Sequence, residues 1–509
     1  MSSAVSTEPT SEVAARSQGD SFLLGLSVML IVNMLQRLIG LVRNISFCQV
    51  LTDDALGHWA MANSFFIIGA PLVVLGLPGA FGKFVEVYRL RGQLGNYLRM
   101  TGMISAVGMG TAAGMMILNP EFFSWLVFNE TGSMSVIFWL AVTLFSVTCF
   151  NTVNELVSAL REVRVVSIMQ FVNSVGFAIL GGVALSMNPS WIVLLPAYSL
   201  ACILGVLPGI WVIWIRRNLL NNQGPTLDIR EIGTRVLPFA AILWCNNLLT
   251  NLFELADRYM LLHLSPGGAE VGQALAGQYH CSRIIPNLLT SLAMLMCGIL
   301  LPYLSADWEQ GKKDRVEQRL NGSLQFVAVG FTLVSIAALL VAPWLFNYYL
   351  VGRYSAAQSI MPQVLLQCIW LSLFLVAQAY LFCIERGRQI IWIQLLGLGL
   401  NLTLNYFLIR HWALAGAVTS TSIAYGVVIA MMIWRMSREG TRLGWNTTLI
   451  CFVPATLVLG PIAASAAIGL LIVIASRTDW IFDDEDRARV DQFILPKLAR
   501  FGLRLNTLW

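Results

Sequence analysis

Charge is scarce in this sequence, and that scarcity excludes a soluble fold. Charged residues make up 12% of the chain and hydrophobic residues 57%, whereas soluble domains carry about 25% charge. The mean hydropathy is +0.72. The apolar residues form continuous runs of roughly 20, which is long enough to cross a hydrocarbon core about 30 Å thick. The sequence therefore predicts an all-α polytopic membrane protein, because a barrel would show alternating rather than continuous apolar residues.

Residues that carry metal, redox or nucleotide chemistry are also few. The four His form no metal-ligand pattern, and the nine Cys fall inside apolar segments without close pairs, so neither a zinc site nor a disulfide framework is expected. The Walker A pattern G-x-x-x-x-G-K-[ST] does not occur, which excludes that route to ATP hydrolysis. The net charge of +5 resides largely in short loops and does not indicate a nucleic-acid partner.

The apolar runs predict twelve membrane spans and a further region, 12–14 spans in all. The twelve spans are 21–45, 59–82, 98–118, 136–160, 168–186, 191–215, 236–262, 277–303, 320–342, 361–384, 390–409 and 412–435. The region 447–476 is either one extra span or a re-entrant pair. Residues 1–20 are predicted to be a disordered cytoplasmic tail, and 477–509 to be a polar or amphipathic tail on an undecided side.

The loop charges predict the orientation. Twenty Lys and Arg residues lie in the N-terminal tail and in every second loop, whereas the opposite loops hold only Arg353 and Arg410. Basic residues accumulate on the cytoplasmic side of membrane proteins. The N-terminus is therefore predicted to be cytoplasmic.

Two parts of the chain share a pattern, which predicts a parallel internal repeat. Spans one and seven each carry a polar or small stripe within an arc of about 120° of a helix. The stripes are Asn33, Arg37, Gly40, Arg43 and Asn44, and Asn247, Asn251, Glu254, Asp257 and Arg258. Each span is followed by a Gly-x-aromatic sequence, Gly57-His58-Trp59 and Gly277-Gln278-Tyr279. The prediction is two six-helix bundles, 21–215 and 236–435, around a central cleft, with a cytoplasmic linker at 216–235.

Two segments carry a resemblance to a known family. The segment MLQRLIGLVRNISFCQVLTDDALGHWAMANSFF resembles the first hairpin of polysaccharide and O-antigen flippases, and LFELADRYMLLHLSPGGAEVGQALAGQYHCSRIIPNLL is similar to their seventh and eighth spans. That family belongs to the multidrug/oligosaccharidyl-lipid/polysaccharide (MOP) superfamily, with the lipid II flippases and the MATE drug exporters. The resemblance covers roughly residues 20–440, and the remaining C-terminal region matches no known pattern.

The resemblance implies a function in surface polysaccharide biosynthesis, such as that of O-antigen, at the bacterial inner membrane. The substrate would be an oligosaccharide on polyprenyl pyrophosphate, moved to the outer leaflet by alternating access. The resemblance implies no enzyme activity and no cofactor apart from coupling to Na⁺ or H⁺. The expected partners are the glycan lipid, the bilayer and polysaccharide polymerase or export proteins, with the chain itself a monomer.

Charges inside the spans are the candidate site residues, because a buried charge costs at least about 2.5–3.5 kcal/mol at the centre of a membrane helix. Arg37, Arg43 and Arg283 are predicted to bind the pyrophosphate, since guanidinium offers paired donors that match phosphate oxygens. The alternative interpretation is that the side chains of Arg43 and Arg283 extend from helix ends to the membrane interface and bind no substrate.

A second group of polar residues is assigned to coupling or to the cleft. Glu254, Asp257 and His280 are candidates for binding Na⁺ or a proton, although Glu254 can instead pair with Arg258 four residues on, and His280 can be structural. Asn33, Asn247, Asn251 and Arg258 are predicted to line the cleft. Asn401 and Asn405 are expected to hydrogen-bond neighbouring helices.

Three other functions stay open at this stage. A MATE-type exporter of cationic drugs would need an acidic, aromatic cleft, and the three intramembrane Arg residues favour an anion instead. A lipid II flippase would normally show fourteen spans. A membrane glycosyltransferase or polymerase would need a polar active-site loop, and no predicted outer loop exceeds about 20 residues.

Overall fold

The protein is described by a computed structural model over residues 32–216, 228–441 and 443–477. Those residues form helices and connecting turns, and they contain no strand. The predicted tail 1–20, and all but the first residue of the predicted tail 477–509, lie outside the described residues.

The helices are numbered in chain order. They are α1 over 32–50, α2 Asp53–Val73, α3 Phe81–Leu90, α4 Leu94–Leu118, α5 Pro120–Phe128, α6 Met134–Ala159, α7 Val163–Met187, α8 Leu194–Ile215, α9 Ile229–Glu231, α10 Leu237–Leu264, α11 Ala269–Ser282, α12 Pro286–Glu309, α13 Lys313–Pro343, α14 Ser355–Cys383, α15 Gly387–Arg438, α16 Trp445–Phe452 and α17 Pro461–Arg477. Short 3₁₀ helices lie at Leu77–Ala80, Trp191–Val193 and Val453–Leu459, and π-helical turns at Ile232–Val236 and Trp344–Tyr349.

Ten helices of the described chain are long and apolar enough to cross a membrane. One of them, α15, has 52 residues and turns sharply at Ala413, whose backbone has φ 45° and ψ −118°. A straight helix of that length would measure about 78 Å at 1.5 Å per residue, far beyond the thickness of a bilayer. The turn therefore divides α15 into the two spans predicted at 390–409 and 412–435. The predicted class, an all-α polytopic membrane protein, is confirmed.

The ranges predicted for spans two and eight, 59–82 and 277–303, each contain a break in the helix. After α2 the backbone turns through Leu75 and Gly76, both with positive φ. The eighth predicted span breaks after Ser282, and Pro286 begins the next helix. Proline lacks an N–H and restricts the residue before it, which favours a helix boundary at such positions.

The described residues pack as two units, with a boundary that differs from the predicted linker at 216–235. The first unit holds the described residues up to Leu51 and from His58 to Leu248, and the second holds Thr52–Gly57 and the described residues from Leu249 onward. Ile232, Val236 and Ala240 are buried in the core of the first unit with Tyr88 and Tyr97. The boundary falls inside α10 because the first turns of that helix complete the first unit.

The C-terminal region 447–476 is a pair of short helical segments. The 3₁₀ helix that follows α16 ends at Leu459, and α17 begins at Pro461. Gly460 joins them with φ 100°, a conformation that glycine adopts without strain. Each segment is shorter than the roughly 20 residues of a full span.

Candidate functional site

Arg43 of the first unit lies on an aromatic surface. Its guanidinium carbon is 4.6 Å from the centroid of the Phe177 ring, and the ring of Phe177 is 4.7 Å from that of Tyr198 and 5.4 Å from that of Trp59. Cation–π contact holds the charge while leaving the edges of the planar group able to donate hydrogen bonds. Since α1 continues to residue 50, Arg43 lies about two turns before its end.

The other predicted residues of α1 lie nearer the start of the described helix. Arg37 is exposed, and Asn33 is half-buried. Arg37 and Arg43 are separated by about 9 Å along the helix axis. Their predicted contact with pyrophosphate, and the predicted place of Asn33 in a cleft, stay predictions.

Asp257 of α10 is the centre of a buried polar network in the second unit. Its side chain is 0% exposed. Thr421 Oγ1 donates to this carboxylate and lies 2.7 Å from Oδ1 and 2.6 Å from Oδ2. Asn405 Nδ2 donates to Oδ1 at 2.8 Å. Asn401 Nδ2 donates a longer hydrogen bond to Oδ1, at 3.4 Å. These donors come from both halves of α15, so the carboxylate joins α10 to two further segments.

Arg283 reaches this network through Tyr279. The Arg283 guanidinium, in a residue only 1% exposed, donates from Nη1 to the Tyr279 hydroxyl at 2.9 Å. That hydroxyl in turn donates to Asp257 Oδ2, also at 2.9 Å. The guanidinium of Arg258, likewise buried, lies 6.0 Å from the centroid of the same tyrosine ring. A buried charge is tolerated when polar groups surround it, and here Tyr279 connects a cation to a carboxylate.

Hydrogen bonds around Asp257 extend the network across neighbouring helices. Asn401 Nδ2 donates to Thr421 Oγ1 at 2.7 Å, and the Ser420 hydroxyl donates to Asn405 Oδ1. Gln367 Nε2 of α14 donates to the carbonyl oxygen of Val418 at 2.8 Å. The prediction that Asn401 and Asn405 hydrogen-bond neighbouring helices is confirmed.

The remaining residues predicted for coupling and for the cleft differ in how far they are buried. His280 and Asn251 are half-buried, and Asn247 is exposed. The side chain of Glu254 lies outside the described residues, so its predicted ion pair with Arg258 is untested. The assignment of Glu254, Asp257 and His280 to ion coupling stays a prediction.

The glycines of the two Gly-x-aromatic sequences have a packing role inside the second unit. A Cβ atom on Gly57 would overlap the carbonyl oxygen of Gln273, and one on Gly277 would overlap the carbonyl oxygen of Asp53. Only glycine allows the start of α2 and the middle of α11 to approach so closely. Gln278 strengthens this contact by donating from Nε2 to Asp53 Oδ2 at 3.2 Å.

Solved structures share this fold. The lipid II flippase MurJ in an inward closed conformation superposes with a TM-score of 0.63 at 11% identity, over 88% of this chain and 100% of that chain. A multidrug resistance MATE family transporter of the MOP superfamily, in its inward-facing conformation, superposes with a TM-score of 0.62 at 14% identity, over 82% and 99%. A point mutant of the Vibrio cholerae MATE transporter VcmN gives 0.56 at 16% identity, over 82% and 98%. The class is therefore a multi-pass membrane protein with the fold of the MOP superfamily.

Comparison of the sequence with known protein families gives a more specific assignment within this class. Residues 22–308, more than half of the chain, match the polysaccharide biosynthesis protein family, and residues 274–484 match the lipid II flippase MurJ family. The chain therefore belongs to the polysaccharide biosynthesis protein family, within the MOP superfamily, and the resemblance seen in the sequence is confirmed. Among curated proteins, none has a sequence that matches this chain.

Proposed function

We propose that the protein is a flippase that carries a polyprenyl-pyrophosphate-linked oligosaccharide from the cytoplasmic to the outer leaflet of the bacterial inner membrane by alternating access. The observation that carries the proposal is the match to the polysaccharide biosynthesis protein family over residues 22–308. The match to the lipid II flippase family over 274–484 supports a lipid-linked saccharide as the cargo. The protein would act without chemical catalysis, as a monomer that supplies polymerase and export proteins.

The arginines of α1 are the groups best placed to meet a pyrophosphate. Arg37 is exposed and Arg43 is held on Phe177, so both present guanidinium donors. Arg283 differs, because in this conformation its side chain is buried and donates to Tyr279. Direct contact between Arg283 and a headgroup therefore requires a different conformation of the transport cycle, in which that hydrogen bond is replaced.

Asp257 is the group through which Na⁺ or H⁺ would drive transport. Thr421 Oγ1 and the Nδ2 atoms of Asn401 and Asn405 donate hydrogen bonds to its carboxylate. The carboxylate and the side-chain oxygens of these three residues are the kind of ligand that a hard cation such as Na⁺ requires. Neutralising the carboxylate would weaken every hydrogen bond that it accepts. Because those bonds join α10, α11 and both halves of α15, ion binding would change the packing of these helices.

The function is tested by reconstituting the full chain in vesicles and measuring outward movement of three probes: a fluorescent polyprenyl-pyrophosphate saccharide, lipid II and a cationic dye. We expect movement of the saccharide lipid, and we expect Arg37→Ala to abolish it because a permanent cation for the pyrophosphate is lost. Arg99→Ala, an exposed arginine of α4, is the control and should transport normally. Unchanged transport by Arg37→Ala would remove Arg37 from the mechanism.

The second candidate, a MATE-type exporter, is favoured by the likeness to solved MATE structures, although at 14% identity that likeness concerns the fold. The same vesicles decide between the two. Movement of the cationic dye without movement of the saccharide lipid would replace the flippase proposal with drug export, and movement of lipid II alone would narrow the cargo to that lipid.

Ion coupling is tested by imposing Na⁺ or pH gradients on the same vesicles. We expect a gradient to accelerate lipid movement by the natural protein and to have no effect on Asp257→Asn, because an amide cannot exchange a proton or neutralise a cation. Asp307→Asn is the matched control, since Asp307 is a buried carboxylate paired with Arg319 at 2.7 Å. A gradient effect that survives in Asp257→Asn would show that coupling lies elsewhere.

A further inference from the structure

A pocket of about 230 Å³, lined by apolar and by hydrogen-bonding side chains, lies within the first unit, where the chain turns after α2. The turn at Gly76 forms one wall, and the Trp244 side chain of α10 lines another. Gly76 has φ 66°, and a Cβ atom there would overlap the Cβ of Trp244. The left-handed turn and the tryptophan therefore pack directly against each other, which fixes the position of the indole at the edge of the pocket.

One face of α6 supplies most of the hydrogen-bonding groups. Thr148, Asn151, Thr152 and Glu155 follow the i, i+3, i+4, i+7 spacing of a single helical face, and all four line the pocket. The hydroxyl groups of Thr148 and Thr152 donate to carbonyl oxygens of their own helix at 2.7 and 2.8 Å. Their remaining lone pairs, the amide of Asn151 and the carboxylate of Glu155 offer mainly acceptors to a ligand.

The chemistry of the pocket excludes the pyrophosphate. Glu155 would repel an anion, and the described side chains that line the pocket include no Lys or Arg. The volume is also below the roughly 300–1,000 Å³ of pockets that hold drug-sized molecules. What fits is a small, neutral ligand that has several hydroxyl donors and one apolar face.

We propose that this pocket binds one uncharged pyranose ring of the glycan, with a C–H face of the sugar on Trp244 and its hydroxyl groups donating to Glu155 and Asn151. The inference rests on the proposed function and names the part of the headgroup that the first unit recognises. Hydroxyl donation to a carboxylate is a charge-assisted hydrogen bond, among the stronger polar contacts. Glu155 is five residues before the predicted cytoplasmic end of its span at residue 160, so the pocket lies on the side from which the glycan would enter.

Saturation-transfer difference NMR on the detergent-solubilised full chain tests the pocket without any transport step. The probes are free glucose, galactose and N-acetylglucosamine. We expect at least one of them to give a signal with the natural protein, and we expect Glu155→Gln and Trp244→Leu each to weaken its binding by about tenfold or more, as loss of a charged hydrogen bond or of the stacking surface implies. Trp244→Phe keeps an aromatic face and should retain binding.

Two matched controls lie outside the pocket on the same unit. Glu121→Gln removes an exposed carboxylate on α5, and Trp211→Leu removes an exposed indole on α8; both should bind sugar as the natural protein does. The proposal is overturned if no sugar gives a signal, or if Glu155→Gln and Trp244→Leu bind sugar as tightly as the controls do. It is also overturned if no sugar binds and the pocket variants lose the binding of a cationic dye, because the pocket would then take a cation.

The outcome is separable from that of the proposed function. Sugar binding that depends on Glu155 and Trp244, in a protein that moves no saccharide lipid, would contradict the flippase proposal and keep the pocket assignment. Movement of saccharide lipid by a protein whose pocket variants bind and transport normally would keep the flippase proposal and remove the pocket from it.

Discussion

Tyr279 connects the two kinds of charge in the second unit. Its hydroxyl accepts a hydrogen bond from Arg283 and donates one to Asp257. Sequence reasoning singled out the arginine and the aspartate because charged residues inside spans are costly. It missed the tyrosine, although Tyr279 closes the repeated Gly-x-aromatic sequence, since an aromatic residue in an apolar run is normally explained by packing alone.

Removing this hydroxyl should destabilise the protein. We expect Tyr279→Phe to lower the free energy of unfolding by about 1–3 kcal/mol, because Asp257 loses a donor and Arg283 loses an acceptor in a buried region. The measurement is the thermal unfolding midpoint in detergent. Tyr303→Phe, at an exposed position of α12, should leave the midpoint unchanged, and equal midpoints for both variants would contradict the role given to Tyr279.

The role of Thr421 could not be predicted from the sequence around it. It lies in the run Thr419-Ser420-Thr421-Ser422, and each member is a plausible polar contact by residue type. The structure selects Thr421 because its hydroxyl points at both oxygens of Asp257. No local pattern carries that information, since the partner is 164 positions away along the chain.

At the scale of helices, the sharp turn in α15 shows a local conflict between sequence and backbone. Ala413 adopts a positive φ that disfavours any residue with a Cβ. Three residues later, Gly416 packs so closely on the carbonyl oxygen of Leu408 that a Cβ would overlap it. The first position thus carries strain that glycine would relieve, and the second already requires glycine.

These two positions give opposite predictions. We expect Ala413→Gly to stabilise the protein by about 1 kcal/mol, because glycine adopts this backbone conformation without the Cβ clash. We expect Gly416→Ala to destabilise it, because the turn must open to accommodate the methyl group. Thermal unfolding midpoints in detergent measure both effects, and shifts of the same sign would rule out this account of the turn.

Helix breaks were only partly predictable. Pro71 and Pro302 lie inside α2 and α12 without ending them, whereas the chain does break before Pro78 and Pro286. Proline removes a donor at every such site, but neighbouring segments decide whether the freed backbone groups find partners within a continuing helix. Residue identity therefore marks candidate breaks, and packing selects among them.

For the molecule as a whole, the distribution of basic residues predicts the orientation in the membrane. Lys313 begins α13 in a loop rich in basic residues, and Arg353 lies in one of the opposite loops, where basic residues are rare. This imbalance predicts that Lys313 is cytoplasmic and Arg353 external.

Cysteine labelling tests that orientation. In a background without the nine native cysteines, a membrane-impermeant maleimide should label Arg353→Cys in intact cells, and should label Lys313→Cys only after the membrane is permeabilised. The reason is that short basic loops are retained on the cytoplasmic side during insertion. The reverse pattern of labelling would invert the orientation and the direction of transport proposed above.

The sequence by itself determined that this chain is helical, that it crosses a membrane repeatedly, and that it belongs to its superfamily. These properties depend on the length of apolar runs, on loop charge and on short motifs, all of which are local in the chain. Tertiary structure alone decided which donors surround Asp257, how Arg283 meets Tyr279, and where the pocket beside Trp244 lies. Those features join residues as far apart as Asp257 and Asn405, separated by 148 positions, and only the packing of helices brings such residues together.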